Sequence, residues 1–205
     1  MFALNRTVFK RLFHLSVIGR HHVPDRGPLI IAPNHISYLD GLVVAASLPY
    51  ARLRQLRWVA YAGASLANPV TRLASRLAMM VPIDSDQAPL AGLASGAAVL
   101  RRKDILVWFP AGKRSPNGEV QDFQPGIGAL ADYFGVPIVP VIIDGTRRAM
   151  PPGSDLPRPR NVTIVYGPRL DAAELARTGR GDDDAERIIN NLHDYIVDMR
   201  RDVHG

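Results

Sequence analysis

A chain of 205 residues, 47% of them hydrophobic, is long enough to bury a full core as one domain without disulfides or metals to staple it. It contains no cysteine, which excludes disulfide frameworks, thiolate metal sites and a cysteine nucleophile, and which fits a reducing compartment. A formal charge of +6 calls for an anionic partner: a nucleic acid, an acidic membrane surface or a phosphorylated substrate. With 7% aromatic residues and no recognisable nucleic-acid module, the first of these is not expected.

In chain order, the stretch MFALNRTVFKRLFHLSVIGR comes first. Arg6, Lys10, Arg11 and His14 interrupt its apolar positions, so it lacks the continuous core of a signal peptide. Phe2, Val8, Phe9, Leu12, Phe13, Leu15 and Ile18 recur at helical spacing, which predicts a basic amphipathic helix within residues 1–22. Such a helix either lies in a membrane interface or packs on the domain core. No later segment reaches the roughly 18 uninterrupted apolar residues that span a bilayer. The expected location is cytoplasmic, peripheral on the inner face of a membrane.

Five short apolar runs bounded by proline, glycine or charge predict strands: PLIIAP, AMMVPID, DILVWFP, VPIVPVIID and, near the end, NVTIVYG. Helical stretches fall between them, from about Leu39 to Leu48, Ala64 to Leu77, Ala88 to Arg101 and Gly126 to Phe134. The alternation predicts an α/β fold, a single domain with a largely parallel central sheet flanked by helices. MPPGSDLPRPRN reads as a surface loop, and residues 171–205 as a polar, mobile linker around RTGRGDDDAER followed by a C-terminal helix. In that helix Ile188, Ile189, Leu192, Tyr195, Ile196 and Met199 share one face.

The run LIIAPNHISYLDG sets two titratable residues behind a strand, with His35 and Asp40 separated by four residues. In open α/β sheets ligands bind beyond the carboxyl ends of strands, which is where His35 would emerge. An imidazole is a good general base when a carboxylate fixes its tautomer, and Asp40, one turn onward, could supply it. Spacing alone leaves an alternative open: Ser37 followed three residues later by Asp40 is also a capping-box pattern, in which Asp40 only satisfies a backbone N–H. Farther on, WFPAGKRSPNG leaves a strand and presents Gly112, Lys113 and Arg114, a flexible backbone and two cations suited to phosphate. A solvated basic turn is the plainer reading of that pair. Gly126 and Gly128 follow Pro125 at a helix start, where backbone N–H groups could receive an anion or where close packing needs small residues. Arg147 and Arg148 form a second basic pair, after DGT.

Taken together, NHISYLD, FPAGKRS and VPIVPV, in that order and at that spacing, resemble the glycerolipid acyltransferase family, which includes glycerol-3-phosphate and 1-acylglycerol-3-phosphate acyltransferases. The resemblance covers about residues 8–170 and extends to GPLIIAPNHISYLDG, VPID and QPGIGALA. It implies an acyltransferase core over residues 23–170 and transfer of a fatty acyl group from coenzyme A or acyl carrier protein to a hydroxyl of a lysophospholipid or glycerol phosphate. His35 would be the general base and Asp40 its holder. Asn34, Gly112, Lys113, Arg114 and Ser115 would contact substrate, with Ala111, Gly126 and Arg147 as further candidates. No metal or other cofactor is implied; the partners are the thioester, the acceptor and a membrane surface. The absence of a serine in a nucleophile-elbow setting independently favours direct transfer over an acyl-enzyme.

The sequence departs from the family's pattern at three blocks. Its third block normally reads Phe-Pro-Glu-Gly-Thr-Arg-Ser, so Ala111 stands for a glutamate and Lys113 for a threonine. Gln124 occupies a position that is usually basic, and Ser85 one that is often arginine. A methyl group cannot replace a carboxylate, so a lipid-binding relative with weak or no turnover is the alternative that Ala111 raises.

Overall fold

The computed structural model describes residues 2–61, 80–83, 88–154 and 156–204. Seven strands form one sheet in the order β1-β7-β6-β2-β5-β3-β4, with β1 Ser16–Ile18, β2 Leu29–Pro33, β3 Leu56–Tyr61, β4 Met80–Ile83, β5 Ile105–Val107, β6 Ile138–Asp144 and β7 Thr163–Tyr166. The five strands from β6 to β4 run parallel, as expected of apolar runs separated by helices. At the other edge β7 lies antiparallel to β6 and parallel to β1.

Helices are α1 Phe2–Leu12, α2 Asp40–Ser47, α3 Tyr50–Leu53, α4 Ala88–Arg101, α5 Gly126–Phe134, α6 Thr146–Ala149, α7 Ala172–Thr178 and α8 Asp184–His204. Successive strand residues point to opposite faces, and the core divides accordingly. Leu29, Ile31, Val107, Val141 and Ile143 meet Val43, Val44, Phe9 and Phe13 on the side of α1 and α2. Ile30, Ala32, Leu106, Ile138 and Ile142 meet Ile127, Leu130, Ile188, Leu192 and Ile196 on the side of α5 and α8. The result is a sheet sandwiched between two helical layers.

The two ends differ from what periodicity predicts. The N-terminal helix stops at Leu12 instead of running through Ile18: His14 takes a positive φ of 40°, and Ser16, Val17 and Ile18 pair with Thr163, Ile164 and Val165. A helical period and a two-residue period overlap across so short a run, and the edge of β7 decides between them. Phe9 and Phe13 stack on each other at 4.9 Å inside the core, so they are not membrane anchors; Val8 and Leu12 are exposed. At the other end, α7 and α8 leave only Gly179–Asp183 outside regular structure in the stretch expected to be mobile. That turn is tied down, with the Asp182 N–H donating to Glu186, the Glu186 N–H to Asp183 and Arg187 to the Gly181 carbonyl. Ile188, Leu192 and Ile196 are fully buried, so α8 packs its apolar face on the core. The helix expected over 64–77 lies outside the described residues, as does Ser85. Among the described residues no helix is long and apolar enough to cross a membrane.

Candidate active site

Because β2 lies between β5 and β6, whatever follows β2 is flanked by the segments that follow its two neighbours. Pairing runs past the strand ends on both sides: the Trp108 N–H donates to the Ile31 carbonyl, and the Asn34 N–H to the Val141 carbonyl. Asn34 then replaces the next backbone rung with its side chain. Its Nδ2 donates to the Ile143 carbonyl at 3.0 Å, and its Oδ1 accepts from the Ile143 N–H at 2.7 Å. In place of the substrate contact expected from the sequence, the amide of Asn34 is spent on clamping β2 to β6. The clamp fixes where His35 leaves the sheet.

His35 Nδ1 donates to Asp40 Oδ2 at 2.8 Å. The same oxygen accepts from the Ile36 and Ser37 N–H groups at 2.7 and 2.8 Å, while Oδ1 accepts from the Thr146 hydroxyl at 2.6 Å. Asp40 is 0% exposed, and these four donors are what make a buried carboxylate tolerable. Its place in the first turn of α2 adds the favourable end of the helix dipole. The two readings of Asp40 are therefore both realised, since one carboxylate caps the turn and orients the imidazole. The ring keeps 21% of its side-chain surface exposed, and Nε2 is the nitrogen left for an incoming hydroxyl. Phe109, the residue after Trp108, stacks on the ring at 4.1 Å and 25°.

The third block folds back toward the first. Gly112 takes φ +68°, a conformation that side-chain-bearing residues avoid, and its N–H donates to the Phe109 carbonyl. The Ser115 N–H donates to the His35 carbonyl at 2.7 Å, and its hydroxyl serves the turn by bonding Asn117 and accepting from the Gly118 N–H. Ser115 thus ties the two blocks together. Arg114 lies over Tyr38, with Cζ 3.5 Å from the ring centroid and Nη2 donating to the hydroxyl at 2.8 Å. Arg147 reaches the same loop through the Ser115 carbonyl at 3.4 Å. Lys113 is exposed, and Ala111 is buried with only a methyl group to offer. Gly126 opens α5, where a Cβ would meet Leu93 and Trp108 at 3.4 Å, and Gly128 lies against the Ala185 carbonyl; packing accounts for both.

Of the sequence candidates, then, His35, Asp40, Arg114, Ser115 and Arg147 converge, whereas Asn34 and Gly126 are structural. Thr146, Phe109 and Tyr38 were not singled out by the sequence. Thr146 follows β6 just as His35 follows β2, and adjacent parallel strands deliver their ends to one place, but only the structure shows that β6 lies beside β2. Among the described residues no group of histidines and carboxylates could hold a metal ion.

The geometry is thus an open α/β sheet with a carboxylate-held histidine where β2 gives way to α2, flanked by an arginine-bearing loop. A model of the acyltransferase family matches residues 14–144, and the chain belongs to that family. It is 33% identical over 136 residues to human 1-acyl-sn-glycerol-3-phosphate acyltransferase alpha, covering 63% of this chain and 45% of the relative. It is 26% identical over 190 residues to 1-acyl-sn-glycerol-3-phosphate acyltransferase of Limnanthes alba, covering 89% and 62%. The chain thus spans about half the length of the curated relatives it matches. The crystal structure of the 1-acyl-sn-glycerophosphate acyltransferase PlsC from Thermotoga maritima shares its fold at a TM-score of 0.74, with 20% identity over 100% of this chain and 80% of that one.

Proposed function

We propose that this chain transfers a fatty acyl group from a thioester of coenzyme A or acyl carrier protein to the free hydroxyl of a 1-acylglycerol-3-phosphate or a related phosphate-bearing acceptor. The observation that carries the reading is the 2.8 Å bond from His35 Nδ1 to the buried Asp40. With Nδ1 kept protonated by that bond, the lone pair on Nε2 takes the proton of the acceptor hydroxyl. The oxygen attacks the thioester carbonyl, the tetrahedral intermediate collapses with cleavage of the C–S bond, and the leaving thiolate recovers the proton from Nε2. The bond to Asp40 and the stacked face of Phe109 hold the ring in one orientation through both steps. Arg114, steadied on Tyr38, is the cation we assign to the acceptor's phosphate, with Arg147 beside the same loop.

The acceptor is a membrane lipid in this reading, and the chain works as a peripheral protein on the inner, cytoplasmic face. Exposed Val8 and Leu12, with exposed Lys10 and Arg11 on the same short helix, support docking at an anionic surface. The alanine at 111 supports a second reading, a lipid-binding relative without turnover. One assay separates the two: release of thiol from an acyl thioester with 1-acylglycerol-3-phosphate, for the parent and for His35→Ala. The proposed reaction requires a loss of about 10²–10⁴-fold in the variant, the usual worth of a general base. Equal background rates in both proteins would leave only the binding role.

A further inference from the structure

A cavity of about 690 Å³ opens at the far end of α2 from the site just described. Asp40 begins that helix and Ser47 ends it, so roughly 10 Å of helix rise separates the two places. The volume falls in the range of small-ligand sites. Its wall carries Lys10 from the end of α1, Arg20 and His21 from the turn after β1, and Arg52 from α3; Leu15, Val17 and Ala46 make it apolar elsewhere.

The backbone that carries Arg20 and His21 is fixed in place. Gly19 adopts φ +69°, and a Cβ there would lie 2.1 Å from the Tyr166 carbonyl oxygen, so only glycine lets the turn press against β7. His22 Nδ1 donates to that same carbonyl at 2.9 Å and staples the single 3₁₀ turn Arg20–His22. Arg52 Nη1 donates to the Arg20 carbonyl at 3.0 Å, which locks α3 to the turn. Of Lys10, Arg20 and Arg52, the last is paired: its Nε donates to Asp25, whose side chain is 86% exposed, at 2.9 Å. Among the described residues no carboxylate pairs with Lys10 or Arg20.

Three cations against one carboxylate leave an excess of two positive charges beside a concave, partly apolar wall. The carbonyl end of α2 supplies only about half a negative charge, so it does not account for the cluster. A phosphate monoester, with a charge of about −1.5 to −2 and three acceptor oxygens, does. We propose that this cavity is a second anion site that takes a phosphate monoester, presented either as free phosphate or as the headgroup of a lipid of the phosphatidic acid type. The inference is independent of acyl transfer at His35, because it concerns binding at the opposite end of α2.

The test is amide chemical-shift titration of the full chain with inorganic phosphate, with dihexanoyl phosphatidic acid below its micelle concentration, and with dihexanoyl phosphatidylcholine. Phosphate and phosphatidic acid should shift the amides of Gly19–His22, and Arg20→Ala should weaken that binding at least ten-fold. The control Arg101→Ala, which removes one exposed charge from α4, should leave it unchanged. Shifts at Ser115–Gly118 report separately on the acceptor loop and should survive Arg20→Ala. Tighter binding of phosphatidic acid than of phosphate makes the occupant a lipid headgroup, and equal affinities make it free phosphate. Equal affinity in parent and Arg20→Ala, equal loss in Arg101→Ala, or equal response to phosphatidylcholine overturns the proposal.

Discussion

At the scale of single residues the site depends on how a carboxylate survives with no exposure. Asp40 Oδ2 is saturated by three N–H donors, and Oδ1 has the Thr146 hydroxyl. Removing that hydroxyl leaves one oxygen of a buried charge short of a partner. Thr146→Val keeps the shape and takes away only the donor, so it should destabilise the fold by about 1.5–3 kcal/mol, the range for hydrogen bonds to charged groups. If His35 is the base, kcat should also fall by about ten-fold with KM unchanged, while Thr146→Ser restores both; denaturant melts and steady-state kinetics on the three proteins read this out. A valine variant with full activity would show that the hydroxyl only supports the fold. His35 and Asp40 were legible in the sequence because NHISYLD stands in order with FPAGKRS and VPIVPV, as in the family it resembles; spacing and strand-end position alone left a capping role for Asp40 open. Thr146 was not, since nothing in DGT announces that β6 will lie beside β2; nor was the clamp of Asn34 on Ile143, which depends on the same pairing.

The elements that support the site are placed by close approaches that a linear pattern hides. Gly128 in α5 lies so near α8 that a Cβ would come within 2.1 Å of the Ala185 carbonyl oxygen. Backbone cannot yield as a flexible side chain can, so Gly128→Ala must push the helices apart. The expected cost is about 1–3 kcal/mol, read as a fall in Tm of about 2–4 °C for each kcal/mol in a chain of this size. The five apolar strands and the helices α2, α4 and α5 could be read from the sequence because each combines a clear period with a proline, glycine or charge at its boundary. The strands that escaped, β1 and β3, are the ones whose apolar positions are broken by polar residues: SVI follows a helical repeat, and LRWVAY begins on a basic stretch. Neither has a pattern of its own, and neighbouring strands decide both.

For the molecule as a whole, the buried phenol of Tyr166 links the sheet edge to proton concentration. Tyr166 is 1% exposed, and its hydroxyl meets Ser47 Oγ at 2.6 Å, while Ser47 also donates to the Val44 carbonyl at 2.8 Å. A serine has one proton, so with that proton on Val44 the phenol is the donor of the pair. Burial raises the phenol's pKa well above its ordinary value, an effect larger than the opposing pull of the Ser47 bond and of Arg20 and Arg52. The folded chain therefore holds this proton more tightly than the unfolded one. Stability from this group is complete below about pH 10, the unfolded value, and is lost as pH rises from there toward the folded value. Native protein binds the extra proton in that window, so the free energy of unfolding falls with pH, by up to about 1.4 kcal/mol per unit. Tyr166→Phe should be less stable than the parent near pH 8, by about 0.5–1.5 kcal/mol for the lost hydrogen bond. Above pH 10 the parent's stability should fall toward the variant's, because phenylalanine has no proton to lose. Urea melts of both proteins from pH 8 to 11 give the two curves. Parallel curves over that whole range would mean that water reaches the phenol, and that the contact of β7 with the end of α2 is looser than the structure describes.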